Sequence, residues 1–256
     1  MKLTVERPFG ATITGLTIDD ISRDEAEAFR SAVAHHRVVV LRDTAADDAR
    51  LVAFLSALGE MMFTEGEIPV AGTPALNLVS NVGRITPPRS VFHTDTSYLP
   101  RPPALSALLA VVVPGAGGAT LFSDQVDAVR RLPSQARDWL HGRSIAHSAT
   151  IAGQTVTTRQ PLLRRHPLTG EVALYLSTPE RCTALIGVDA ETSARVIAAL
   201  YRHSVRRKYL KRHVWRPGDV VVWDNRVTMH KADHDAVVGD RVLHRGLVRG
   251  ETPIMA

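Results

Sequence analysis

The chain reads as a mixed α/β protein with a β-rich core clad by helices, and three observations predict it. From Ile68 onward the apolar runs are short and are separated by Gly, Pro and Asn, the punctuation of many short strands. Helical apolar spacing is confined to a few segments, early in the chain and between strands, so the alternation of a parallel α/β sheet is missing. No repeat, low-complexity tract or linker interrupts the 256 residues, and one domain over residues 1–256 is expected.

Taken in order, residues 3–16 alternate apolar and polar side chains and are broken by Gly10 and Gly15, which predicts short strands. Ser22 followed by Glu25 is a capping box, and residues 26–36 carry the helix it opens. Residues 38–41, Val-Val-Val-Leu, form a compact apolar strand, and residues 45–58 read as a second helix closing at Gly59. Strands are predicted at 76–80, 104–113 and 120–122. A helix is predicted at 132–139, interrupted by Pro133 and preceded by a polar turn near Asp124. Residues 160–166 and 171–176 flank Pro167-Leu168-Thr169-Gly170, a hairpin signal. An amphipathic helix at 189–203, a buried strand at 219–223 entered through Pro217-Gly218, and an alternating strand at 241–250 complete the chain.

Composition narrows the function. Apolar residues make up 45% and charged residues 22%, an ordinary globule, and no run approaches the roughly 20 apolar residues that cross a bilayer. The single cysteine, Cys182, excludes an internal disulfide, and residues 1–6 show no apolar signal core, so a cytoplasmic chain is expected. The net charge of +5 comes mostly from Arg spread along the chain, densest at residues 201–213. Such a run is a solvated face or a means of attracting an anionic small molecule. Aromatic residues are only 5%, too few for the stacking surface of a nucleic-acid enzyme, so neither nucleic acid nor membrane is an expected partner.

The chemistry-bearing residues are His93-Thr94-Asp95 and, far downstream, His230. In an extended strand His93 and Asp95 share one face, so both can grip one ion. A second imidazole from His230 completes two histidines and one carboxylate, the set that holds non-heme Fe(II) with positions left open. Between the halves lies Gly115-Ala116-Gly117-Gly118-Ala119-Thr120, a glycine-rich turn delivering a hydroxyl. Arg241 and Arg245 follow His230 at an even mutual offset, so on a strand they project to the same side.

With these motifs, and with Gly218 through Arg226 and the early Gly10–Gly15 segment, the sequence resembles the taurine/2,4-dichlorophenoxyacetate dioxygenase group, the TauD/TfdA family of Fe(II)- and 2-oxoglutarate-dependent oxygenases. The resemblance covers most of the chain. It implies a double-stranded β-helix (jelly roll, cupin-like) core with flanking helices. It also implies Fe(II) on His93, Asp95 and His230, and the distal carboxylate of the cosubstrate 2-oxoglutarate on Thr120 and Arg241. A guanidinium fork and a hydroxyl are well matched to a carboxylate. Arg245 would meet an anionic group of the primary substrate, and Asn81 and Arg89 lie where family members place substrate contacts. Tyr98 is a second pocket-lining candidate, Trp223 a core residue. Thr64 and Glu65 stand where relatives carry a substrate-contacting His, a departure that argues against a sulfonate.

The reaction so implied consumes O2 and couples decarboxylation of 2-oxoglutarate to succinate with hydroxylation of a small substrate, followed by C–O, C–S or C–N cleavage where the hydroxylated carbon can collapse. Halogenating relatives vacate the carboxylate position that Asp95 fills, so halogenation is not expected. An anionic, aryloxyalkanoate-type carboxylate is the favoured substrate. A biosynthetic hydroxylase or desaturase of an amino acid or natural product is the alternative within the family, and a non-catalytic jelly-roll binding protein the alternative outside it. A homo-oligomer is compatible with either.

Overall fold

Two sheets face each other across a shared apolar layer, and the chain order builds them from distant segments. The structure, a computed structural model, describes residues 2–83 and 90–256. It opens with strands Lys2–Val5 (β1) and Ala11–Thr14 (β2), helix Arg23–His36 (α1), strand Val38–Leu41 (β3) and helix Asp48–Leu58 (α2). Short strands Met61–Met62 (β4) and Pro69–Val70 (β5) lead into Thr73–Ser80 (β6), Pro103–Val112 (β7) and Thr120–Asp124 (β8). Helices Gln125–Arg130 (α3) and Ser134–Leu140 (α4) precede strands Ser144–Ile151 (β9), Gln154–Pro161 (β10), Leu163–Arg165 (β11), Val172–Leu174 (β12) and Cys182–Leu185 (β13). Helix Ala190–Ser204 (α5) is followed by Leu210–His213 (β14), Val220–Asp224 (β15), Thr228–Ala232 (β16), Val242–Arg249 (β17) and Ile254–Met255 (β18).

The large sheet runs β1-β2-β3-β15-β7-β17-β6-β5, with β4 added to β17; the small sheet that faces it runs β14-β8-β16, and β10-β9-β13 and β12-β11-β18 form two further three-stranded sheets. Period-two alternation sorts the side chains. Val38, Val40, Leu108, Ala110, Val221, Trp223 and Leu243 point inward and meet Phe122 of the small sheet. Their neighbours Val39, Leu41, Leu109, Val220 and Val222 point outward and are covered by Phe29, Val33, Phe54 and Leu55 of α1 and α2. Strands buried on both faces explain why β3 and β15 read as unbroken apolar runs. On the far side of the small sheet, Met229 packs with Ile197 and Leu200 of α5 and with Leu162 and Leu174. No helix among the described residues is long and apolar enough to cross a membrane.

Helix α1 carries both halves of the Ser22–Glu25 capping box. Helix α2 starts later than its apolar spacing suggests, because Asp47 rather than Ala45 caps it and accepts from Arg50 N–H. The predicted turn near Asp124 is instead the start of α3, whose first two free amides are taken by the Asp124 carboxylate. Pro133 does not interrupt a helix but precedes α4. The predicted hairpin forms as β11 against β12. The β9–β10 hairpin was absent from the sequence reading; its outer strand, β10, is mostly solvent-facing and rich in Thr.

Cys182 is buried, and burial pushes its thiol up to about 12. At pH 8 the native thiolate fraction is then roughly a thousandfold or more below that of an unfolded cysteine. A disulfide-exchange thiol reagent should therefore label the folded protein negligibly and label one thiol per chain in denaturant; rapid native labelling would contradict this packing.

Candidate active site

The convergence of the two histidines follows from backbone pairing. His93 N–H donates to the His230 carbonyl and His230 N–H donates to the His93 carbonyl, both at 2.9 Å. A pair that exchanges both bonds places its side chains side by side on one face. The ring centroids stand 4.3 Å apart. Trp223 and Phe122 back the His230 ring, at 4.5 and 6.4 Å.

Asp95 arrives differently from the expectation. His93 occupies an isolated bridge rather than a strand, and the chain turns at Thr96, whose φ is 39°. The turn is pinned from several sides. Asp95 N–H donates to Asn225 Oδ1 at 2.9 Å, while Asn225 Nδ2 donates to the carbonyls of Asp95 and Pro103 at 3.2 and 3.1 Å. Thr94 Oγ1 donates to the Leu176 carbonyl at 2.7 Å. The result brings Asp95 Oδ1 to 3.7 Å from His93 Nε2 and Oδ2 to 4.0 Å from His230 Nε2.

This trio is the described group of His, Cys, Asp and Glu side chains close enough to share an ion, with donor atoms within 4.8 Å of one another. A bound divalent ion lies about 2.1 Å from each donor and sets neighbouring donors about 3 Å apart, so the His–Asp separations need close by only about 1 Å. Protonation also suits an ion. His93 Nδ1 lies 2.9 Å from the Val91 carbonyl, which fixes the proton on Nδ1 and leaves the Nε2 lone pair free. Burial, reinforced by the neighbouring His93, depresses His230 to about 3, so it is neutral at pH 7. Burial alone would raise the Asp95 carboxyl; the His230, Arg245 and His93 side chains around it outweigh burial and hold it well below the usual carboxylate range.

Arg245 and Ser106 orient that carboxylate. Ser106 Oγ donates to Oδ2 at 2.7 Å and an Arg245 guanidinium nitrogen donates to Oδ1 at 3.2 Å. A second nitrogen of Arg245 reaches Thr64 Oγ1 at 3.4 Å and lies 3.6 Å from a Glu67 carboxylate oxygen. Arg245 therefore pairs with neither Asp224 nor Asp240, the acids its sequence position offers. Asp224 is held instead by His166 at 2.9 Å and by Arg226 at 2.6 Å. Asn81 is likewise not a pocket side chain. Its Oδ1 accepts from Arg241 N–H at 2.7 Å and its Nδ2 donates to the Gly239 carbonyl at 3.1 Å, so it fixes the backbone from which Arg241 springs. Arg89 lies outside the described residues.

Arg241 is 2% exposed. Its Nε donates to the Gly118 carbonyl at 2.9 Å and a terminal nitrogen donates to Thr120 Oγ1 at 3.3 Å. Gly118 must be glycine: with φ at 69°, an added Cβ would sit 2.7 Å from Pro114 and 3.1 Å from Arg241 Cδ. Trp215 Nε1 also donates to Thr120 Oγ1, at 3.1 Å. With both lone pairs of the hydroxyl engaged, its own proton is left for a further acceptor. Among the described residues no carboxylate stands within ion-pairing distance of Arg241, and burial lowers it to about 10. Arg241, Thr120, His93, His230 and Arg245 line one cavity between the two sheets.

Sequence reasoning missed Ser106 and gave Asn225 no role. Ser106 had a signal, being the one hydroxyl in the otherwise apolar run at 104–113. Nothing local marks Asn225, whose partners lie across the fold.

Comparison with known proteins agrees with this geometry. The profile of the taurine catabolism dioxygenase TauD, TfdA family matches residues 2–247. An alpha-ketoglutarate-dependent sulfate ester dioxygenase of Pseudomonas putida is 28% identical over 96% of this chain and 88% of its own length. An (S)-phenoxypropionate/alpha-ketoglutarate-dioxygenase of Delftia acidovorans is 26% identical over 88% and 86%. The crystal structure of a taurine dioxygenase from Burkholderia xenovorans superposes with a TM-score of 0.88, at 30% identity, over 99% of this chain and 92% of that one.

If Asn225 positions Asp95, Asn225→Ala should weaken Mn(II) binding by about 10- to 100-fold in calorimetry. Unchanged affinity would show that the turn holds without it.

Proposed function

The chain belongs to the TauD/TfdA family of 2-oxoglutarate-dependent dioxygenases, and from that membership we propose that His93, Asp95 and His230 hold Fe(II) while Arg241 and Thr120 hold the distal carboxylate of 2-oxoglutarate. The fold is the mixed, β-rich architecture of that family, and the chain is an oxidoreductase of its class. One observation carries the residue assignment. A guanidinium buried in the cavity that the two histidines line, with no carboxylate within ion-pairing distance among the described residues, is costly unless an anion joins it. A dicarboxylate that spans from the ion to Arg241 resolves that cost.

Bound Fe(II) and 2-oxoglutarate would supply the oxidising chemistry, consuming O2, releasing succinate and CO2, and delivering oxygen to a substrate carbon. The protein's own part is orientation and charge. A neutral His230, the Nε2 of His93 and an ionised Asp95 would present lone pairs to the ion. Ser106 and Arg245 keep the carboxylate aimed, and Thr120 with Arg241 fixes the cosubstrate's far end. Trp223, Phe122 and Leu108 form a dry wall that limits water near the trio.

For the primary substrate, the reading is a small organic anion of the aryloxyalkanoate type. The cationic side chains beside Asp95 support it, as does the action of similar proteins on sulfate esters and phenoxypropionate.

Anaerobically reconstituted protein should convert 2-oxoglutarate to succinate on exposure to O2, faster when an accepted substrate is present. Arg241→Ala should raise the KM for 2-oxoglutarate by about 10- to 100-fold with a far smaller effect on that for the primary substrate. An unaltered 2-oxoglutarate KM would remove Arg241 from the cosubstrate site. His93→Ala should abolish both Fe(II) binding and turnover.

A further inference from the structure

We propose that Arg181 is the residue that recognises the anionic group of the primary substrate, an assignment that rests on the anionic-substrate reading above. Among the described residues two guanidiniums border the Asp95 side of the trio, and they differ in what already neutralises them. Arg245 stands between two acids, 3.2 Å from Asp95 and 3.6 Å from Glu67. Arg181 has no carboxylate within ion-pairing distance among the described residues. Its contacts are a 3.4 Å hydrogen bond from a terminal nitrogen to the Thr94 carbonyl and the face of the Tyr98 ring, 5.2 Å from the guanidinium carbon. A carbonyl and an aromatic face orient a guanidinium without cancelling its charge. Of the two cations, Arg181 is the one whose charge still lacks a counter-ion.

Its position is fixed and close to the chemistry. Arg181 N–H donates to the Thr178 carbonyl at 2.9 Å and Cys182 N–H to the same oxygen at 3.0 Å, closing a tight turn. Ser177 Oγ ties this segment to the Thr94 carbonyl at 3.3 Å, one residue from Asp95. The charge of Arg181 is felt at His230 and at the Tyr98 hydroxyl, the same two groups that feel Arg245. The geometry agrees: Arg181 holds the Thr94 carbonyl and Arg245 the Asp95 carboxylate, adjacent residues of one turn. A half-buried fork held in place beside Thr94 and Tyr98 is suited to take a carboxylate or sulfate. Arg245, tied to Asp95, acts as a positioning residue for the metal carboxylate.

The test is calorimetric binding to protein loaded with Mn(II) and 2-oxoglutarate without O2, using phenoxyacetate, hexyl sulfate and neutral phenoxyacetamide as probes. Wild type should bind at least one of the anions. Arg181→Gln should weaken that binding about tenfold or more, leave Mn(II) and 2-oxoglutarate affinities unchanged, and be partly rescued by Arg181→Lys. Equal anion binding by wild type and Arg181→Gln overturns the role of Arg181 while sparing the anionic reading. Loss of Mn(II) or 2-oxoglutarate binding in Arg181→Gln overturns it in favour of a structural role. Binding of phenoxyacetamide by wild type with neither anion bound overturns the anionic reading itself.

Discussion

Two reciprocal backbone hydrogen bonds between His93 and His230 are the constraint on which the rest of the site depends. They join a loop that precedes β7 to a strand of the small sheet, segments that share no local sequence logic. A slip of one residue in that pairing would turn one imidazole to the opposite face. The register of β16 on β8, with His230 opposite Phe122, holds the pairing from one side. Asn225 and Thr94 hold it from the other, by tying the turn after His93 to the end of β15 and to Leu176.

Charge placement explains the remainder. The interior between the sheets holds Asp95 and Arg241 at 3% and 2% exposure, and such groups are tolerated only with partners. Asp95 has its partners within the chain, in Arg245 and Ser106. Among the described residues Arg241 has neutral oxygens only, which is the ground for proposing an external counter-ion. The same comparison of compensated and uncompensated cations separates Arg245 from Arg181 on the substrate side.

Much of this was legible in the sequence. Arg241, immediately before β17, and Arg245 within it stand at an even offset, and both line the central cavity. Helices α1 and α5 announced themselves through caps and apolar spacing that need no tertiary partner. What escaped had distant or very short causes. Helix α3 is a six-residue segment, too short to show a period. Asn81 was expected at the substrate site from the family resemblance alone; its amide bonds the backbone at 239–241. His93 and Asp95 converge as expected, yet through a bridge and a turn at Thr96 rather than through a strand.

The most direct measurement is X-ray absorption at the iron edge of protein loaded anaerobically with one equivalent of Fe(II). Two imidazole nitrogens and a carboxylate oxygen at about 2.0–2.2 Å, with one imidazole lost in His230→Ala, is the result this account predicts. Iron whose imidazole count is unchanged by that substitution, or that binds without imidazole, would contradict it.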